Sequence, residues 1–119
     1  MKLFTVLLAT AAGLAAGALP FACDRSALTP ESRKHHFDEV TPAVRKLMKS
    51  QKELPDGFAF EFPPDAAAIR VVAEWVASER LCCPFLDFTM HLERERGKFW
   101  LQLRGREGVK EFIRKDFGL

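Results

Sequence analysis

Apolar positions along the chain change period several times, and each change marks an element. Phe37, Val40, Val44, Leu47 and Met48 recur at helical spacing. Thr29 is placed as an N-cap and Pro30 as the first helical residue, so a first helix is predicted from Pro30 to about Ser50, bent near Pro42. The period then falls to two. Gln51–Leu54 and Phe58–Phe62 flank a Pro55-Asp56-Gly57 turn, with Phe58, Phe60 and Phe62 alternating as a strand requires.

Pro63 and Pro64 forbid a preceding helix, Asp65 is a good N-cap, and Ala66 to Ala68 are strong helix formers. A helix over about Asp65–Cys82 follows. Ile69, Val72, Val76, Glu79 and Cys83 share one stripe of it, with Val71, Trp75 and Cys82 on the next. Beyond it Phe88, Met90 and Leu92 alternate, a turn falls around Arg96-Gly97, and Phe99, Leu101 and Leu103 alternate again. A closing helix is expected from about Arg106 to Phe117, with Val109, Phe112 and Ile113 inward. The order α-ββ-α-ββ-α predicts an α+β domain: an antiparallel sheet of about four strands with helices on one face.

Composition narrows the picture. The 119 residues carry a net charge of +2 with both signs interspersed, which gives no case for nucleic acid. The 11 phenylalanines fall mostly on predicted buried faces and so belong to a core, and tyrosine is absent. Lys2, the uncharged Ala-rich run Leu3–Leu19 and the Ala16-Gly17-Ala18 site read as a secretory signal peptide. Residues 1–22 are therefore expected to be a leader and 23–119 a single domain, periplasmic or secreted once the leader is cleaved. A retained membrane anchor or a cytoplasmic protein is the alternative, although a run of roughly 17 residues is marginal for a membrane span.

The chemistry concentrates where the third helix must stop. Cys82 and Cys83 are adjacent, Pro84 and Phe85 close them off, and Cys23 is the remaining thiol of the chain's 3. Pro84 pushes Cys83 out of the α region, so the two side chains need not diverge as consecutive helical residues do. Glu79 lies within reach of either thiol as an oxygen ligand, a supporting acceptor or a proton acceptor. These thiols sit at the negative end of a helix dipole beside a carboxylate, so raised thiol pKa values are expected. That argues against a fast thiol nucleophile.

The segments Ala22-Cys23-Asp24, Ser26-Ala27-Leu28-Thr29-Pro30-Glu31, Leu54-Pro55-Asp56-Gly57-Phe58-Ala59-Phe60, Glu74-Trp75-Val76, Glu79-Arg80, Cys82-Cys83-Pro84-Phe85-Leu86 with Phe88, and Trp100-Leu101, Gly105, Glu107-Gly108-Val109-Lys110 with Phe112 resemble a group of small, functionally uncharacterised bacterial proteins. The resemblance spans nearly everything after Pro20, and Glu-x-x-Cys-Cys-Pro-Phe is its most specific part. It implies that Cys23, Glu79, Cys82 and Cys83 belong to one domain pattern, with Cys23 a domain cysteine rather than a lipid acceptor. It assigns no reaction. Pro42 departs from the pattern, because the first helix is unbroken in similar proteins.

Three functional classes stand at this point. One is a domain that binds a thiophilic ion such as Cu(I), Zn(II) or Hg(II) through Cys82, Cys83 and Cys23 with Glu79 nearby. Another is a thiol-dependent redox enzyme in which one cysteine attacks and another resolves, with Glu79 moving a proton. The third is a non-catalytic domain whose cysteines only pack. In an oxidising compartment Cys23 would pair with one of the adjacent cysteines, whereas a metal held by all three leaves no odd thiol. His35 and His36 are expected to be solvated on the first helix, and His91 to lie on the face opposite Met90. Gly105-x-x-Gly108 reads as a helix-start turn.

Overall fold

Residues 21–119 are described by a computed structural model, and the expected leader lies outside them except for its last two residues. A short 3-10 turn, Arg25–Ala27, precedes α1 (Pro30–His35). A π-turn over His36–Val40 joins α1 to α2 (Thr41–Leu47). The chain continues as β1 (Ser50–Leu54), β2 (Gly57–Phe62), α3 (Ala66–Cys82), β3 (Asp87–Leu92), β4 (Phe99–Arg104) and α4 (Val109–Phe117). The sheet order is β1-β2-β4-β3 with every pair antiparallel. This is the expected α+β architecture.

Register explains the core. Phe58 faces Leu103, Phe60 faces Leu101 and Phe62 faces Phe99, so the period-two residues of the central strands lie on one surface. Val40, Val44, Val72, Trp75, Val109 and Ile113 from the helical segments cover that surface in one buried cluster. The opposite face is open and is tended differently: Trp100 lies under the Lys52 ammonium, 4.2 Å from its ring centroid. The edge strand β1 is exposed and polar over Ser50–Glu53, which discourages edge-to-edge pairing with another sheet. Gly57 is required where β2 meets β4, since a Cβ there would collide with the Leu103 carbonyl.

Several boundaries move for local reasons. The first helix stops at Leu47, not near Ser50, because Met48 turns extended (ψ 122°) to feed β1. The closing helix starts at Val109, not Arg106, because Gly108 precedes it with a left-handed backbone (φ 95°) that suits glycine. The β3–β4 turn is carried by Glu95 and Arg96, both at positive φ (61° and 57°). The bend expected near Pro42 takes the form of the π-turn. Proline has no N–H and its ring crowds the carbonyl four residues back, and the wider turn relieves this, with the Thr41 N–H donating to the His36 carbonyl.

Candidate functional site

The last turn of α3 delivers Glu79 and Cys82 into the core, where they are 4% and 0% exposed. The buried stripe of this helix is Ala68, Val72, Trp75, Glu79 and Cys82, so it draws on both stripes expected from the sequence. Cys83 is the C-cap residue, outside the α region (φ −123°, ψ 66°) as Pro84 demands, while its N–H still donates to the Glu79 carbonyl. The departure from helical geometry turns its sulfur toward the same interior as Cys82.

Cys23 comes from the other end of the chain. Asp24 N–H donates to the Cys82 carbonyl (2.7 Å), satisfying one of the acceptors that a helix C-terminus leaves open. Arg33 donates to the Arg25 and Leu28 carbonyls, and buried Leu28 anchors the same segment. Cys23 is thereby held against Cys83, and the two form a disulfide with Cα atoms 4.7 Å apart and a sequence separation of 60. Cys82 remains a free, buried thiol. One ligand atom each from Cys23, Glu79, Cys82 and Cys83 can be chosen so that all lie within 4.8 Å of one another. The structure thus brings together Cys23, Glu79, Cys82 and Cys83, the four residues the sequence marks as candidate ligands.

Glu79 is the hub. Its Oε1 lies 3.2 Å from Cys83 Sγ and 3.9 Å from Cys23 Sγ, and its Oε2 lies 3.9 Å from Cys82 Sγ. The disulfide sulfurs carry no proton, so in this state those approaches are contacts rather than hydrogen bonds. Cys82 is pushed up to about 12, first by burial and then by the Glu79 carboxylate. The rise was expected from the helix end, but burial is its larger cause.

One residue reverses its expectation. His36 is buried (1% exposed), and its Nε2 sits 2.7 Å from Glu79 Oε2. With Glu79 ionised, the Nε2–H donates. Its Nδ1 is buried without a hydrogen-bond partner among the described residues. Spacing is the physical reason for the reversal: His36, Val40 and Val44 stand four residues apart and share one helix face, and the π-turn over His36–Val40 keeps His36 on that inward line. That four-residue spacing was the available signal. His35 stays half-exposed between Glu39 and Glu74, and His91 is exposed on the open sheet face, as expected.

Chemically, the cluster has two states. Oxidised, it holds a disulfide, one thiol and a carboxylate braced by a histidine. Reduced by two electrons, it offers three sulfurs and a carboxylate. Tetrahedral thiolates about 2.3 Å from zinc lie about 3.8 Å apart, so donor atoms within 4.8 Å need only a small contraction to share an ion. Among the described residues no helix is long and apolar enough to cross a membrane. No protein-family model matches the chain, and no similar curated protein or solved structure was found.

Proposed function

We propose that the reduced domain binds one soft metal ion of the copper, zinc or mercury class through Cys23, Cys82 and Cys83, with Glu79 as oxygen ligand or supporting acceptor. The observation that carries this reading is the convergence of those donor atoms within 4.8 Å at the largely buried C-terminal end of α3. Soft ions prefer thiolates, and a thiol whose charge is disfavoured by burial and a neighbouring carboxylate gains most when a cation replaces its proton. His36 fits the part of an outer residue that fixes the carboxylate's orientation. The Cys23–Cys83 disulfide is then the oxidised, closed form, and it favours a periplasmic or secreted setting.

The disulfide beside a free thiol also favours a second reading, a thiol–disulfide enzyme. Against it, a Cys82 thiol held near pKa 12 supplies almost no nucleophilic thiolate at neutral pH. The test is native mass spectrometry of anaerobically reduced protein with Cu(I) or Zn(II) under a competing chelator. One ion per chain is expected, lost on oxidation and weakened by Cys23→Ser, Cys82→Ser or Cys83→Ser. Equal behaviour of wild type and all three variants would return the cysteines to a packing role.

A further inference from the structure

If metal binding needs the reduced site, something must open the disulfide, and among the described residues one cavity leads to it. A cavity of about 160 Å³ reaches inward to Cys23 and Glu79. That is well below the ~300–1,000 Å³ of pockets that hold drug-sized ligands, and suits a molecule of amino-acid size. Cys23 lines it; Cys82 and Cys83, both 0% exposed, do not. Of the two disulfide sulfurs, that of Cys23 is therefore the one a small thiol can meet.

The rim carries both signs of charge. Arg25 and Arg45 line the cavity together with Asp116. The Arg25 guanidinium is held over the Phe37 ring, 4.0 Å from its centroid, and Arg45 Nη2 donates to the Asp116 carbonyl at 3.0 Å. Both cations are thus positioned. Neither makes an ion pair with a carboxylate among the described residues. Asp116 and the inner Glu79 supply the negative charge. A bare anion would meet two carboxylates here, and a bare cation two guanidiniums.

We propose that this cavity admits a small zwitterionic thiol, with the size and charge pattern of free cysteine, which opens the Cys23–Cys83 disulfide by exchange at Cys23. The carboxylate of the incoming thiol lies toward Arg25 and Arg45 and its ammonium toward Asp116. Its sulfur, having lost its proton to solvent, attacks Cys23 Sγ. The Cys23–Cys83 bond breaks as the mixed disulfide forms, and Cys83 leaves with the electron pair and takes up a proton beside Glu79. A second molecule of the same thiol attacks the outer sulfur of the mixed disulfide, releasing the oxidised dimer of the small thiol and free Cys23. Two small thiols are oxidised and one protein disulfide is reduced.

The inference deepens the metal reading, since opening the disulfide is what would make the site competent. Its test needs no metal. Oxidised full-chain protein is mixed with free cysteine, cysteamine or 2-mercaptoethanol, and each reduction rate is expressed per thiolate and against the same thiol acting on an unfolded control. Cysteine should exceed both others by about tenfold, the size of one good charge-assisted contact. Arg25→Gln with Arg45→Gln should bring the ratio of the cysteine rate to the 2-mercaptoethanol rate close to one. The acid-quenched mixed disulfide should map to Cys23. Equal rates for the three thiols, an unchanged ratio in the double variant, or mapping to Cys83 would overturn it. Metal uptake after reduction by dithiothreitol judges the metal reading separately: uptake without cysteine selectivity sinks this proposal alone, and selectivity without uptake sinks the metal reading alone.

Discussion

The inner face of the sheet and the C-terminal end of α3 are equally buried but made of opposite materials. Phe58, Phe60, Phe62, Phe99, Leu101 and Leu103 contribute apolar volume, and any shape-conserving apolar set would serve that purpose. His36, Glu79 and Cys82 occupy comparable depth with groups that burial penalises. A core needs only the first kind. The second is retained at a cost in stability, and groups of that kind concentrate where proteins do chemistry. The contrast sets different expectations for substitutions at the two places.

The largest effect belongs to the apolar face. Phe60→Ala should destabilise the domain by about 3–5 kcal/mol, since the ring is 1% exposed and stacks on Phe117 with centroids 5.2 Å apart. Denaturant unfolding measures it. The disulfide comes next. Cys23→Ser should remove about 2–4 kcal/mol from the oxidised protein, because the bridge closes a loop spanning a separation of 60. The same substitution compared under dithiothreitol should change little. A loss of equal size in both conditions would mean that Cys23 stabilises by packing and would erase the distinction between the two regions.

A smaller and more discriminating effect is expected at His36. His36→Leu leaves Glu79 buried without its 2.7 Å donor and should cost about 1–3 kcal/mol. His36→Leu combined with Glu79→Leu should recover most of that loss, because two apolar groups no longer need each other. Metal uptake should survive the first change in weakened form and fall further in the second. If the double variant were no more stable than the single one, the polar end of α3 would be ordinary core.

What the sequence made legible follows the same division. Alternating Phe58, Phe60 and Phe62, the Pro55-Asp56-Gly57 turn and the Asp65 cap are local signals, and each fixed its element without help from the rest of the chain. The cysteines and Glu79 were legible as a group because Pro84 dictates where α3 ends and how Cys83 leaves it. That Cys23 pairs with Cys83 rather than Cys82 was not legible, since it depends on the backbone bond from Asp24 to the Cys82 carbonyl, a contact between distant segments. His36 was missed for another reason: it stands four and eight residues before Val40 and Val44 and so belongs to their stripe, but its polar ring and charged neighbours read as a solvent face.

The effect expected to be smallest near neutral pH tests whether Cys82 is buried as a thiol or merely as a small apolar side chain. Its pKa is raised from 9.0 to about 12, so the folded state keeps the proton where the unfolded state has already lost it. The sign follows: stability from this group is fully present below about pH 9 and is lost as the pH rises toward 12. Cys82→Ala should therefore flatten the alkaline limb of the stability profile while leaving its shape below pH 8 unchanged, as read by chemical denaturation at fixed ionic strength. Alkylation offers a second view of the same group. In the folded oxidised protein, iodoacetamide should modify Cys82 with a rate still rising above pH 10, whereas an unfolded control levels off near the ordinary thiol value. A native rate that saturates near pH 9 would show that neither burial nor the Glu79 carboxylate holds the proton, and Cys82 would then belong with a reactive thiol centre rather than with a site waiting for a cation.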